Sequence, residues 1–425
     1  MTAGTTAART DRPATFADLF RSGEYRALWI SGLVSRAGDQ LARVALALLV
    51  FDRSGSPFLT ALTYTLTTLP ALVGGPLLGG LADRYPRRGL IAVCNLVRAA
   101  LGVAMALPMV PFAVLCALVF AMQLLEPPER AARTALIHDV LPEEVFSLGV
   151  AANQLTYQVT VLAGFAGGAV VVAAIGPYPA LAVNAATFLC CALIVWAGVR
   201  RRPAAAAGAS VRRPIGAGEG LRVIVGSPQL RSVLAIALLA GFLVIPEGIA
   251  VPYAAQIGMP ARLIGLLLAA IPAGNVLGML LIGRMLRKET QVRAMGPLAA
   301  LAGVPFIVCA LRPGSILSVA LWALSGVALS YQMVAQAEFV RATPDRQRGQ
   351  AVGLAGSAIS AIQGIGVLLG GALADHVGAA SAIAVTGVAS LVVGTPLAVA
   401  WHRVRANASS PAPAAEDGAE AHVAA

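Results

Sequence analysis

Long apolar runs and short polar interruptions alternate along the whole chain. A helix that crosses a bilayer needs about 20 mostly apolar residues. The pattern supplies twelve such runs, at residues 27–51, 58–81, 88–108, 110–127, 149–173, 178–199, 230–255, 262–283, 293–311, 314–337, 350–374 and 379–401. The third and fourth are parted only by a turn at Pro108 and Pro111. One interruption is long. Residues 200–228 contain RRRPAAAAGASVRRPIGAGEG, which is basic, rich in Ala, Gly and Pro, and unpatterned, as a linker would be. The expected organisation is a cytoplasmic tail (1–22), a six-helix bundle (23–199), a cytoplasmic linker (200–228), a second six-helix bundle (229–404) and a disordered cytoplasmic tail (405–425).

The two bundles echo one another. SGEYRAL at 22–28 resembles SPQLRSV at 227–233, and Pro70 corresponds to Pro272. Gly80 and Arg84 correspond to Gly283 and Arg287, Gly167 and Gly168 to Gly370 and Gly371, and Pro142 to Pro344. The offset stays between 202 and 205, which predicts two parallel six-helix repeats related by an axis along the membrane normal.

Composition agrees with that architecture. The chain is 58% hydrophobic and 12% charged, about half the charge a soluble domain needs to cover its surface. The first 20 residues lack the apolar segment of a cleavable signal, so the N-terminus is expected in the cytoplasm. The net charge of +11 is distributed as topology information rather than as a nucleic-acid footprint. With the N-terminus inside, 25 basic residues fall in cytoplasmic segments and three (Arg53, Arg262, Arg312) on the opposite side. Arg36, Arg43 and Arg98 fall within spans. The five cysteines lie in apolar stretches without metal-ligand spacing, so neither a metal site nor a cofactor is expected. Near-exclusive use of Arg over Lys suits a GC-rich bacterial genome, hence a bacterial inner or plasma membrane with both termini cytoplasmic.

Between the second and third runs stands GGPLLGGLADRYPRRGLI, residues 74–91. It resembles the major facilitator superfamily signature G-x-L-A-D-R-x-G-R-R. Gly79, Leu81, Ala82, Asp83, Arg84, Arg87 and Arg88 stand at its positions, and Pro86 replaces the usual Gly. Glycines such as Gly79 and Gly80 let helices approach closely in lipid. Asp83 can cap a helix N-terminus or pair with an arginine. Arg87 and Arg88 are either part of such a gate or simple topology anchors. The second copy, GMLLIGRMLRK at 278–288, has Leu286 where the acid would stand. SRAGDQ at 35–40 and the loops at 130–144 and 338–354 resemble the macrolide-efflux and enterobactin-exporter-like branch. Span five offers GFAGG at 164–168, without the proline of the element that many drug:proton antiporters carry. The resemblance covers about residues 20–404. It implies an all-α integral membrane protein with twelve transmembrane helices in the major facilitator fold, working by alternating access.

Ionisable side chains inside a membrane are costly and face cavities or one another. Arg36, Asp39, Gln40 and Arg43 occupy i, i+3, i+4 and i+7, one face of a helix. Asp39 lies about 16 Å along that helix from Leu28, near mid-bilayer. The stripe is either an internal ion-pair ladder, with Asp39 between Arg36 and Arg43, or the wall of a central cavity. Its excess positive charge requires an acid elsewhere or an anionic substrate. Glu247, after Pro246 in span seven, is the expected acid facing Arg43. Asp39 and Glu247 are the proton-site candidates. Arg98, Glu126 and Glu338 are secondary candidates, the two acids at a cytoplasmic mouth. Tyr64, Tyr157, Gln158, Tyr253 and Gln332 are candidate polar or aromatic contacts. His138 is expected to be solvated in a loop.

The sequence carries no GxxxxGK[ST] element, no Ser/His/Asp set and no paired catalytic acids, so an enzyme is not expected. The expected function is proton-coupled efflux of a small amphipathic molecule such as a drug, antibiotic or siderophore-like compound, by a functional monomer whose partners are substrate, protons and the lipid bilayer. An importer or lipid-type flippase on the same fold is the alternative, and a non-transporting membrane sensor a distant one.

Overall fold

The computed structural model of the chain describes residues 16–78, 81–202, 217–344 and 347–409, and among them every regular element is a helix. Ten helical rods are long and apolar enough to cross a membrane by length and composition: Arg87–Met105, Phe112–Val140, Thr156–Ile175, Pro177–Gly198, Pro228–Gly248, Ala261–Met285, Lys288–Leu311, Ser315–Ala342, Arg348–Val377 and Ala379–Ala406. The first two expected spans fall outside that set for physical reasons. Gly23–Ser54 is a single helix, but it carries the charged stripe. The second is interrupted at residues 67–69, between Pro57–Leu66 and Pro70–Leu78, with Pro70 opening the later piece, and Leu81–Arg84 is also helical. With Gly23–Ser54 and the interrupted second span placed before them, the ten rods complete two sets of six in chain order, numbered here as spans one to twelve.

Several boundaries differ from expectation, among them the C-terminal tail expected from residue 405, into which the last helix runs as far as Ser409. Span four runs to Val140 instead of stopping near residue 127, because Glu126–Val140 continues it. Pro127 and Pro128 occupy the first turn of that piece, where a missing N–H leaves no bond unmade. Part of the expected linker is the helix Ala217–Gly226, whose Gly220 abuts Gln350 and Ala351 on span eleven. Part of the expected N-terminal tail is the helix Phe16–Arg21. Phe20 packs edge-on against Tyr25 and Trp29, with centroids 5.7 and 5.2 Å away.

Successive rods reverse direction, so turns alternate between the face where span one begins and the opposite, far face. Far-face turns carry the left-handed residues Gly55, Gly176, Gly258, Gly378 and Arg312. Gly55 and Gly258 are 203 residues apart, and Gly176 and Gly378 are 202 apart, so the sequence repeat reappears as backbone geometry. Span seven is interrupted at Leu239, Val244 and Ile249, the last two flanking the short piece Ile245–Gly248 that holds Pro246. Proline removes a helical hydrogen bond, and here the chain re-forms short helical pieces around it.

The halves meet toward the far face along two seams. Span two meets span eleven, where Gly371 sits against Ala61 and Phe58, and Thr65 donates to the Gly364 carbonyl at 3.3 Å. At the end of that seam Ser56 Oγ and the Phe58 N–H donate to Asp375 at 3.1 Å each. Span five meets span eight, where Gly265 faces the Phe165 carbonyl and Ala169. Near this face Arg53 donates to the Pro108 and Val110 carbonyls and lies 5.4 Å over the Tyr178 ring, tying three turns together.

Lipid gives little hydrophobic drive between helices, so close packing depends on small residues. Gly274 and Gly278 of span eight, four apart, lie against the Ala323 and Val327 carbonyls of span ten, and Gly326 lies against the Ile271 carbonyl. A Cβ on Gly274 would come within 1.9 Å of the Ala323 oxygen. Gly274→Val therefore destabilises the protein by about 1–3 kcal/mol, seen as a lowered melting transition in detergent. Gly283→Val, where an added Cβ meets nothing within 4 Å, leaves that transition unchanged.

Candidate functional site

The charged stripe of span one opens into a cavity of about 410 Å³ in the first half. Span one contributes Ser35, Arg36, Asp39, Gln40 and Arg43. Span three adds Arg98, span four adds Gln123, Glu126, Glu129, Arg130 and Arg133, and span five adds Asn153 and Tyr157. A single helix face thus becomes a polar wall because three neighbouring helices turn polar side chains toward it.

The pairing within this wall differs from the expected ladder. Asp39 binds neither Arg36 nor Arg43. Its carboxylate accepts from Arg98 Nη2 at 3.0 Å, across from span three. The Arg98 side chain is 1% exposed, against 21% for Asp39, and its guanidinium lies 4.1 Å from the Phe188 ring centroid. The helical spacing of Arg36, Asp39 and Arg43 allows a ladder, yet Arg98 wins. Among the described residues it is buried with no other acid in ion-pair contact, whereas Arg36 has Asn153 Oδ1 at 3.1 Å and the Tyr157 ring 5.7 Å away. Arg43, one turn beyond Asp39 on the same face, forms no ion pair with it. Among the described residues its Nε is buried without an acceptor, and Gln40 Oε1 is buried without a donor.

Glu247 also has an unexpected partner. It accepts a hydrogen bond from the Tyr64 hydroxyl at 2.6 Å, which links span seven to span two and so one half to the other. Among the described residues Arg43 forms no ion pair with Glu247. Glu126 pairs with Arg130 one turn along its own helix, and Glu338 pairs with Arg341 at 2.7 Å.

Reading the sequence missed the Glu129–Arg133 pair. Both side chains are under 10% exposed. Arg133 also donates to the Leu28 carbonyl and to Ser31 Oγ, each at 2.7 Å, fastening span four to span one. Arg133 is therefore an interior residue and not one of the loop arginines of the topology count. The i, i+4 spacing of Glu129 and Arg133 was the available signal. The two prolines before it disguised a helix start as a loop. His138 and Asp139 likewise lie within this helix, and both are exposed.

The signature after span two is partly described. Gly79 and Gly80 lie outside the described residues, as does the side chain of Asp83 in Leu81–Arg84. Arg84 is exposed. Arg87 pairs with Asp139, and Arg88 donates to the Trp196 carbonyl with its guanidinium 5.5 Å over the indole. A second cavity, of about 360 Å³, lies mainly in the other half and is lined by Gln158, Asn275, Met279, Gln332, Gln336 and Phe339 among others. Tyr253 points elsewhere: it stacks on Trp322 with centroids 5.9 Å apart and bonds to Ser318 at 2.9 Å.

The chain is a helical membrane protein of two six-rod halves, with a cavity lined by buried charge in the first. The sequence model described as Major Facilitator Superfamily matches residues 28–337 and 248–425, and the chain belongs to that superfamily. It is 27% identical over 377 residues to the multidrug efflux pump Tap of Mycolicibacterium fortuitum, covering 84% of this chain and 91% of that protein. It is 25% identical over 183 residues, 42% of each chain, to the uncharacterized transporter YkuC of Bacillus subtilis, described as of the same superfamily type. Among solved structures, a bacterial homologue of the human lysosomal transporter Spinster, inward-facing and unoccupied, superposes with a TM-score of 0.71 at 16% identity, covering 92% of this chain and 99% of that one. The nucleoside transporter NupG, as its D323A mutant, gives 0.66 at 14% identity, covering 90% and 99%. The protein is a multi-pass membrane transporter.

The Arg98–Asp39 bond yields a direct test. Arg98→Gln leaves Asp39 as an uncompensated interior charge, and the loss approaches about 3 kcal/mol, the low end for a broken buried pair because Asp39 faces the cavity. Adding Asp39→Asn restores part of that loss in a double-mutant cycle of detergent melting transitions.

Proposed function

We propose that the protein is a proton-coupled exporter of a small amphipathic molecule, working by alternating access with the face where span one begins toward the cytoplasm. The orientation draws on the arginine distribution, since basic segments resist translocation. In that orientation the far-face seams are closed toward the outside. The arginine-lined cavity then reaches, through Arg130 and Thr134, toward the cytoplasmic side. Export draws support from the similarity to a multidrug efflux pump along most of both chains.

The observation that carries proton coupling is the hydrogen bond from Tyr64 to Glu247. It joins the halves through an ionisable acceptor. Protonating the carboxylate turns a charge-assisted bond into a weaker neutral one, so one proton loosens a contact between the halves. Protonating Asp39 acts within the first half by releasing Arg98. Arg87 with Asp139 and Arg88 with Trp196 hold the cytoplasmic ends of spans three, four and six together, so that this half moves as a unit around the signature loop.

Expression in an efflux-deficient host should lower susceptibility to at least one amphipathic compound. Everted vesicles should accumulate that compound when a proton gradient is imposed. Glu247→Gln and Asp39→Asn should each reduce the proton-driven rate at least about tenfold, the range for loss of a positioned proton-transfer group. Unchanged proton-driven uptake in both variants would remove these carboxylates from coupling, and accumulation by intact cells would reverse the direction.

A further inference from the structure

The first-half cavity is lined by five arginines and three carboxylates. Each carboxylate is matched by one arginine: Asp39 by Arg98, Glu126 by Arg130, and Glu129 by Arg133. Arg36 and Arg43 are left over. Among the described residues neither makes an ion pair. Arg36 is held by a neutral amide, and Arg43 keeps a buried Nε without an acceptor. Crediting Glu247 to Arg43 across the interior still leaves one positive charge. A positive charge inside a cavity with low-dielectric walls concentrates anions and repels cations.

The cavity of the other half has the opposite character. Among the described residues its lining holds no charged side chain, and its amides Gln158, Asn275, Gln332 and Gln336 are set among Met, Leu, Val and Ile side chains. Tyr157 and Gln158, consecutive on span five, line one cavity each, so the two chambers share a wall. Arg36 and Arg43 are two turns apart on one face, about 10 Å along the helix, within the joint reach of two guanidinium groups converging on one head group.

We propose that the transported molecule is an amphipathic organic anion, with a carboxylate, phosphate or sulfonate head held by Arg36 and Arg43 and an apolar body against the uncharged second chamber. The inference rests on the transporter reading and narrows its substrate. Specificity comes as much from repulsion as from attraction, because a cationic amphiphile would face an excess positive charge and two arginines outside any ion pair.

The test uses the purified full-length protein in nanodiscs of zwitterionic phospholipid. The probes are dansyl-undecanoate, its primary amide and the matching trimethylammonium compound, read by dansyl fluorescence. The acid should bind at least about tenfold tighter than the amide, as expected for hydrogen bonds to a charged group, and the cation weakest. Arg36→Gln with Arg43→Gln should bring the acid to the affinity of the amide, and Arg36→Lys with Arg43→Lys should recover most of the preference. Equal binding of the three probes to the wild-type protein overturns the proposal without reference to any variant. So does an acid preference that survives the double Gln change in protein whose melting transition is intact.

Two further arms locate the source of the anion. Displacement of dansyl-undecanoate by added octyl sulfonate, but not by phosphatidylglycerol built into the disc, marks a free solute. Displacement by phosphatidylglycerol that requires both arginines marks a bilayer lipid. Either supports the anionic class. Proton-driven export of cationic compounds with no binding of the acid would overturn this inference while leaving the exporter reading standing. Arginine-dependent binding of the acid in a protein that moves nothing against a proton gradient would do the reverse.

Discussion

A charge inside a bilayer has to be answered by another group, because no bulk water is present to solvate it. That demand organises the first half. Arg98 answers Asp39 and thereby joins spans one and three. Arg133 answers Glu129 and, with its remaining donors, takes up the Leu28 carbonyl and Ser31, joining spans four and one. These bonds decide how the helices are rotated, since each charged side chain must point at its partner. The cavity is the space such rotations enclose.

The second half meets the same bilayer by other means. Glu247, in span seven, is answered from outside its own bundle by Tyr64. Contacts between its helices rely on glycines that let backbones touch, as Gly274 and Gly326 do between spans eight and ten. The repeats therefore share a backbone plan, visible in the paired left-handed glycines of the far-face turns, while their interiors have diverged. A symmetric scaffold with an asymmetric lining suits a cargo with two unlike ends.

Much of this was legible in the sequence, and the reasons differ by feature. Apolar runs set the spans because length and hydropathy are local properties. The charged stripe was legible because 3.6 residues per turn places Arg36, Asp39 and Arg43 together. Their partners were not legible, since a partner is a tertiary fact. Nothing local to CNLVRAA says that Arg98 faces span one, and the expectation that Glu247 faces Arg43 carries no information about Tyr64. The Glu129–Arg133 pair was hidden by a local ambiguity: adjacent prolines end a helix or begin one, and only the surrounding fold decides which.

Three buried polar atoms without a partner (Arg43 Nε, Arg98 Nε and Gln40 Oε1) belong to residues that line the first-half cavity. In a rigid protein such atoms are a liability, because each forfeits a hydrogen bond it made in water. A transporter changes that balance. Groups underbonded in one state are free to bond in the next, whether to a solute or to a rearranged neighbour, and the energy released there helps drive the change between states. A span-one stripe satisfied completely within itself would lock the first half in one arrangement. By engaging Asp39 through span three and leaving Arg43 short of an acceptor, the fold keeps its interior charges stable enough to bury and incomplete enough to respond.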